Sequence, residues 1–200
     1  MGKPNKAILL IHEIYGLNDH MKFMKQKLSK LEADITCPNL LSRDIPYSYE
    51  EEGRAYQNFI QNIGIDESSK QINNMLIQLK QEYERVGVIG FSVGATISWL
   101  CSENNLCDFV IGCYGSRIRD DLNRRPVCPT LLIFPAEEKT FDVDYLVNSL
   151  KQKREPLLEI KTFHGFHGFM NPFSHAFNKE SADEAFQTIN DFLERHLADY

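Results

Sequence analysis

The seventeen residues 85–101, RVGVIGFSVGATISWLC, decide how this chain folds. Their first part, Arg85–Ile89, is short, apolar and rich in β-branched side chains, which predicts a buried strand. Residues 95–101 have the composition of a helix packed on a sheet. Between the two lies Gly90-Phe91-Ser92-Val93-Gly94, a Gly-x-Ser-x-Gly pattern that is typical of a nucleophile elbow at a strand-to-helix turn. A simple structural turn is the alternative interpretation. An elbow would strain the serine backbone and project its hydroxyl from the carboxyl edge of the sheet.

Composition and charge exclude several classes of protein. The chain has 200 residues, of which 42% are hydrophobic and 25% charged, so we expect one globular domain over residues 1–200. A net charge of −6 argues against nucleic acid or an anionic membrane as partner. No apolar run has the ~20 residues of a membrane span, and the N-terminus lacks the apolar core of a signal peptide. We therefore expect a cytoplasmic protein.

Five cysteines, at positions 37, 101, 107, 113 and 128, are odd in number and form no Cys-x-x-Cys pair. In a cytoplasmic protein this pattern predicts reduced, mostly buried thiols rather than disulfides or a metal site.

Strand-like and helix-like segments alternate along the whole chain. The predicted strands are Ala7–His12, Asp34–Cys37, Arg85–Ile89, Phe109–Tyr114, Thr130–Phe134 and Leu158–Phe163, and the predicted helices are 18–31, 49–63, 67–83, 95–101, 143–153 and 182–197. The last helix begins with a candidate capping box, Ser181 followed by Glu184. Near-continuous apolar strands between amphipathic helices predict an α/β fold, a mostly parallel sheet of about six to seven strands with helices on both faces.

Polar residues follow several of these strands, at the edge where such folds bind ligands. They are His12 and Glu13 after the first strand, Ser92 after the elbow strand, Glu137 and Glu138 after the fifth, and His164 and His167 after the last. A hydroxyl, a carboxylate and an imidazole thus occur in the order serine, acid, histidine. That is the order of catalytic residues in α/β-hydrolases.

Four segments together resemble the dienelactone hydrolase family, a lidless branch of the α/β-hydrolases. They are Glu13-Ile14-Tyr15-Gly16-Leu17, Cys37-Pro38-Asn39-Leu40-Leu41, the elbow 90–94 and His167-Gly168-Phe169. The resemblance implies Ser92 as the nucleophile where the family usually has cysteine, His167 as the base, and Glu13 as a carboxylate in contact with the nucleophile. Ala95 stands where the family pattern has a second glycine.

The resemblance is weaker at the acid and at the substrate site. It implies a carboxylate after the fifth strand, and Glu138 occupies the position where the family has aspartate; Glu137 and Asp142 are rivals. His164 competes with His167 for the role of base. Asn171 occupies a position where the family has an arginine that binds substrate, so the dienelactone substrate itself is not implied.

These residues predict a serine hydrolase acting on a small carboxylic ester, thioester or lactone. His167 would take the proton of Ser92, Glu138 would orient His167, and the backbone N–H groups of Ile14 and Val93 would form the oxyanion hole. A catalytically silent α/β-hydrolase-fold binding protein is the alternative. A zinc site built from His12, His164, His167 and His175 lacks a recognised ligand spacing, so no metal and no cofactor is expected.

Overall fold

Six parallel strands form one sheet in the computed structural model, which describes residues 5–197. The strands are β1 Lys6–Ile11, β2 Asp34–Thr36, β3 Arg85–Phe91, β4 Phe109–Cys113, β5 Thr130–Pro135 and β6 Leu158–Phe163. Their order across the sheet is β2-β1-β3-β4-β5-β6, and every neighbouring pair is parallel. The first residues of the chain, on which the expectation of no signal peptide rests, lie outside the described range.

Within the described residues, six α-helices connect and cover the strands: α1 Asp19–Leu28, α2 Glu52–Asn58, α3 Ile65–Glu82, α4 Val93–Cys101, α5 Val143–Gln152 and α6 Lys179–Leu197. Alternate strand residues face opposite helical layers, as the pleat of a strand requires. Ile8 and Leu10 of β1 pack in the core that includes α1 and α6, whereas Leu9 and Ile11 pack in the core that includes α3 and α4. The predicted α/β-hydrolase fold, with helices on both faces of a parallel sheet, is confirmed.

Two helical predictions differ from the structure. The predicted helix 49–63 consists of a 3₁₀ turn at Tyr49–Glu51, α2, and a π-helical turn at Phe59–Ile63. The last helix begins at Lys179 rather than at 182, because the Asn178 side chain accepts a hydrogen bond from the Ser181 N–H at 3.2 Å. Asparagine caps a helix as well as serine does, so the capping box predicted at Ser181 is wrong.

The parallel topology explains where the polar loops meet. In a parallel sheet all carboxyl ends lie along one edge, so the loops after β1, β3, β5 and β6 open on the same side of the molecule. Among the described residues, no helix has the length and apolar character needed to cross a bilayer.

Candidate active site

Ser92 occupies a sharp turn between β3 and α4. Its φ of 55° and ψ of −117° are strained for a residue with a side chain, a conformation that costs about 1–3 kcal/mol and persists where the surroundings impose it. The Ser92 N–H donates to the Cys113 carbonyl at 2.9 Å, which ties the turn to β4. A Cβ on Gly90 would approach the Gly94 carbonyl and the Ser98 hydroxyl closer than 3.0 Å. Glycine at position 90 is therefore required for the strand and the helix to meet this closely.

Three side chains form a hydrogen-bonded line at this turn. The Ser92 Oγ lies 2.9 Å from His167 Nε2, and His167 Nδ1 lies 2.6 Å from Glu138 Oε1. The Glu138 side chain is 6% exposed and that of His167 is 36% exposed, so solvent reaches the ring but hardly reaches the carboxylate. An ionised carboxylate accepts hydrogen bonds only, so Nδ1 carries the proton and Nε2 is free to accept the serine hydroxyl proton.

The surroundings of His167 adjust its basicity. Burial by itself lowers the pKa of His167, but the hydrogen bond and the charge of Glu138 outweigh it and raise the pKa above the usual 6.5. The ring of Tyr114 packs edge-on against the imidazole, with centroids 5.2 Å apart, and limits its rotation. The arrangement can hold a base in one tautomer beside a hydroxyl.

The rival residues lie elsewhere. Asp142 caps α5, where its carboxylate accepts the Tyr145 N–H at 3.0 Å. Glu137 is exposed, and its backbone N–H donates to the Gly165 carbonyl. His164 is also exposed on the surface. Of the carboxylates and histidines considered from the sequence, the structure brings Glu138 and His167 to Ser92.

The two backbone groups expected to form an oxyanion hole come from the starts of neighbouring loops. Val93 is the first residue of α4, and Ile14 follows the end of β1. Within residues 5–197 neither N–H donates a hydrogen bond. A Cβ on Gly94 would lie closer than 3.0 Å to the carbonyl oxygens of Ile11 and His12, so this glycine lets α4 pack directly on the end of β1.

Glu13 is buried beside this site, with 4% of its surface exposed. Its Oε2 lies 3.3 Å from His20 Nδ1 and accepts a hydrogen bond from Asn171 Nδ2 at 3.4 Å. Burial raises the pKa of Glu13, but the interaction with His20 outweighs it, and the net pKa is lowered. Within the described chain Glu13 makes no hydrogen bond to Ser92, so the expected contact with the nucleophile does not take a hydrogen-bonded form.

A polar network that the sequence analysis did not anticipate surrounds Glu13. The Tyr49 hydroxyl accepts hydrogen bonds from Asn171 Nδ2 at 2.8 Å and from Asn18 Nδ2 at 3.1 Å. Both acceptor sites of the oxygen are therefore used, and its proton remains available for donation. No motif marks Asn18, Tyr49 and Asn171 as a group, and they come from three separate segments of the chain.

The remaining histidine and cysteine predictions can be placed as well. Both ring nitrogens of His12 are engaged by backbone groups, of Glu13 and of Leu40. In residues 5–197 no group of three or more side chains is arranged to hold a metal ion. All five cysteines are free thiols; Cys37 is partly buried and the other four are buried.

Comparisons with known proteins agree with this fold. The model of the dienelactone hydrolase family matches residues 1–197. The uncharacterized protein YczH of Bacillus subtilis is 40% identical over 194 residues, which cover 97% of this chain and 95% of that protein. The structure of a dienelactone hydrolase-like promiscuous phosphotriesterase from metagenomic libraries superimposes with a TM-score of 0.77 at 16% identity, covering 97% of this chain and 88% of that one. An esterase of Pyrococcus furiosus gives a TM-score of 0.66 at 15% identity, covering 98% and 85%. The chain therefore belongs to the dienelactone hydrolase family and is a hydrolase that acts on ester bonds.

Proposed function

We propose that this protein is a serine hydrolase that cleaves a small carboxylic ester, thioester or lactone through Ser92, His167 and Glu138 and an acyl-enzyme intermediate. The observation that carries the proposal is the line of hydrogen bonds from the Ser92 Oγ through His167 to Glu138, with distances of 2.9 and 2.6 Å. A serine hydroxyl needs such a base within hydrogen-bond reach to act as a nucleophile near neutral pH.

Acylation follows from this geometry. The Ser92 Oγ attacks the carbonyl carbon while His167 Nε2 takes the hydroxyl proton, and the carbonyl oxygen becomes an oxyanion. The N–H groups of Ile14 and Val93 stabilise that oxygen. The bond to the leaving group then breaks, and His167 returns its proton to the departing alkoxide or thiolate.

Deacylation repeats these steps with water as the nucleophile. His167 takes a proton from the water, hydroxide attacks the acyl-enzyme, and the Ser92 oxygen leaves and regains a proton from His167. Glu138 stays ionised throughout and stabilises the imidazolium. The products are a carboxylic acid and an alcohol or thiol.

The polar network beside the site favours an uncharged substrate. Asn171, at the position where the family resemblance implies a cationic arginine, already donates to Tyr49 and Glu13. The lowered pKa of Glu13 keeps a buried negative charge there. Glu13 is paired with His20, and Asn171 offers a substrate carboxylate no cationic partner. An uncharged ester is therefore expected to be hydrolysed at least as fast as a carboxylate-bearing one of the same size.

The catalytically silent alternative is less well supported. A binding protein has no need for a carboxylate on His167, and strained backbone such as that of Ser92 clusters at active sites. The 2.6 Å hydrogen bond from His167 to Glu138 thus favours the enzyme over the silent binder.

The substitution Ser92→Ala tests the proposal. It should reduce the turnover of p-nitrophenyl acetate to less than about a hundredth of the parent rate, because the loss of a catalytic nucleophile costs far more than that. The melting temperature should stay nearly unchanged. A fluorophosphonate probe should label the parent protein and leave the variant unlabelled.

The matched control is Ser29→Ala, at an exposed serine that follows α1. This variant should keep both activity and labelling. A Ser92→Ala variant with more than about a hundredth of the parent activity would contradict the assignment of the nucleophile. A parent protein that is neither labelled nor active on any ester would favour the silent binder.

A further inference from the structure

His12 follows β1 and is completely buried, and both of its ring nitrogens are hydrogen-bonded to the backbone. Nδ1 lies 2.6 Å from the Glu13 carbonyl oxygen, and Nε2 lies 3.0 Å from the Leu40 nitrogen. A backbone N–H can only donate and a carbonyl can only accept, so Nε2 is the acceptor and Nδ1 carries the proton. The ring is therefore neutral and confined to one tautomer. Burial also lowers the pKa of His12 and so favours the neutral form.

The Glu13 carbonyl shares a peptide unit with the Ile14 N–H. The unit is planar and trans, so the carbonyl and the N–H point in opposite directions and turn together. The carbonyl also accepts the Gly16 N–H at 3.3 Å. The hydrogen bonds from His12 and Gly16 restrict the rotation of this peptide and thereby restrict the direction of the Ile14 N–H.

The two residues before Glu13 pack against the helix that begins at the elbow. Gly94 brings the start of α4 against the backbone of Ile11 and His12, and the Val93 N–H lies in the first turn of that helix. The Ile14 N–H makes no hydrogen bond within residues 5–197 and so can donate to a substrate oxygen.

We propose that His12 is the positioning residue of the oxyanion hole: its Nδ1–H holds the Glu13 carbonyl so that the Ile14 N–H points at the substrate oxygen attacked by Ser92. This inference rests on the proposed function and adds to it a residue that does not touch the substrate. It also gives a role to the segment Cys37–Leu41, because the Leu40 N–H selects the tautomer in which Nδ1 is the donor.

Two substitutions separate the hydrogen bonds of His12. The amide nitrogen of His12→Asn reaches the place of Nδ1 and can still donate to the Glu13 carbonyl. The amide oxygen of His12→Gln reaches the place of Nε2 and can still accept from Leu40. Each variant therefore loses one of the two hydrogen bonds. If His12 had only a structural role, the activity of each variant would fall only as far as the amount of folded protein falls.

The expected result is a difference in kcat. His12→Gln should lose about tenfold to a hundredfold in kcat on p-nitrophenyl acetate with little change in KM, because a misdirected oxyanion donor acts on the transition state alone. His12→Asn should keep a kcat at least about five times higher than that of His12→Gln. The matched control His164→Gln, at an exposed histidine, should behave like the parent protein. Equal kcat values for the two His12 variants, or a loss confined to KM, would overturn the inference.

A second readout reports on the oxyanion itself. Ser92 adds to the carbonyl carbon of a methyl trifluoromethyl ketone and gives a tetrahedral adduct with a negatively charged oxygen. The ester substrate in its ground state carries no such charge. The affinity for the ketone should fall across the variants in proportion to kcat/KM. Unchanged ketone affinity in a His12→Gln variant of reduced kcat would contradict a role at the oxyanion hole.

A measurement on the parent protein does not depend on the folding of any variant. Nitrogen NMR of the histidine rings should show His12 as the neutral tautomer with the proton on Nδ1, from pH 6 to pH 8. A proton on Nε2 would overturn the inference. If the parent protein hydrolyses esters and Ser92→Ala does not, any of these contrary results refutes the role of His12 and leaves the proposed function intact. A parent protein inactive on all esters refutes both.

Discussion

At the scale of single residues, the acid is one place where this chain differs from the family pattern. Glu138 is one methylene longer than an aspartate, yet its carboxylate reaches His167 at 2.6 Å. The backbone just before it is tied to the loop after β6: the Ala136 N–H donates to the Phe163 carbonyl, and the Glu137 N–H to Gly165. Those bonds hold the two loops in register, so the longer side chain is accommodated without freeing the loop.

The substitution Glu138→Gln should reduce kcat by about two to four orders of magnitude, because a neutral amide no longer holds the working tautomer of the imidazole. It should also move the pH profile. Glu138 raises the pKa of His167, and the neutral imidazole is the active form, so the parent rate should rise with pH through a value above 6.5. Without Glu138 the effect of burial dominates and lowers the pKa of His167. The rise of the rate on the acidic side of the pH profile should therefore shift to lower pH.

The measurement is the pH dependence of kcat/KM for both proteins, with Glu137→Gln as the matched control. Glu137 is the exposed neighbour of Glu138, so its replacement should change neither the maximum value of kcat/KM nor the pH at which kcat/KM rises. A rise that moves to higher pH in Glu138→Gln, or an unchanged maximum value of kcat/KM, would show that another group orients His167.

At the scale of elements, the approach of α4 to β1 positions the proposed oxyanion hole. Side chains between a helix and a strand usually keep the two backbones apart, but Gly94 has no side chain. The carbonyl oxygens of Ile11 and His12 occupy the space that a Cβ would need. One missing side chain thus lets the end of β1, which leads into the loop containing Ile14, pack against the first turn of α4.

The substitution Gly94→Ala should destabilise the protein by about 1–3 kcal/mol, because the added methyl group meets backbone atoms that cannot rotate away. It should also lower kcat, since α4 must move away from β1 and carry the Val93 N–H with it. The matched control is Gly53→Ala in α2, where a Cβ meets nothing within 4 Å. That change should stabilise the protein by about 0.5–1 kcal/mol. Urea unfolding and steady-state kinetics measure both effects, and a Gly94→Ala variant with parental stability and kcat would contradict the argument.

At the scale of the whole molecule, both helical layers pack on the same six strands. Alternate residues of β5 illustrate this: Leu131 and Ile133 belong to the core with α1 and α6, and Leu132 and Phe134 to a core with α5. Neither layer can lose its packing without exposing one face of the sheet. We therefore propose that the chain forms a single cooperative domain.

Cooperative unfolding can be observed with natural probes. The single tryptophan, Trp99, is fully buried in the core with α5, whereas circular dichroism reports on all helices. The two urea transitions should coincide if the domain unfolds in one step. The thiol of Cys113, buried at the end of β4 with a raised pKa, should become reactive to iodoacetamide in the same transition. Separate midpoints for fluorescence and circular dichroism would indicate two units.

Local patterns of residues determine most of this fold. Strand and helix positions follow from apolar periodicity, which acts between near neighbours, and the elbow at Ser92 follows from two glycines within five residues. The places after strands bring Ser92 and several carboxylates and histidines to one edge, because parallel strands have their carboxyl ends together. The choice of His167 and Glu138 among them came from the family resemblance. Local patterns do not determine the start of the last helix, because Asn178 and Ser181 are both good N-caps. The course of the backbone before the helix decides that Asn178 is the cap.

Only the tertiary structure decided which residues surround Glu13 and His12. Asn171 lies 158 positions from Glu13 and 122 from Tyr49, and it bonds to both. The Leu40 N–H that selects the His12 tautomer lies 28 positions along the chain from that ring. Such pairs leave no periodic pattern in a sequence, because each arises where two loops that are distant along the chain pack together. The sequence thus determined the elements and the reactive groups, whereas the partners that set their tautomers and charges depend on how distant loops pack together.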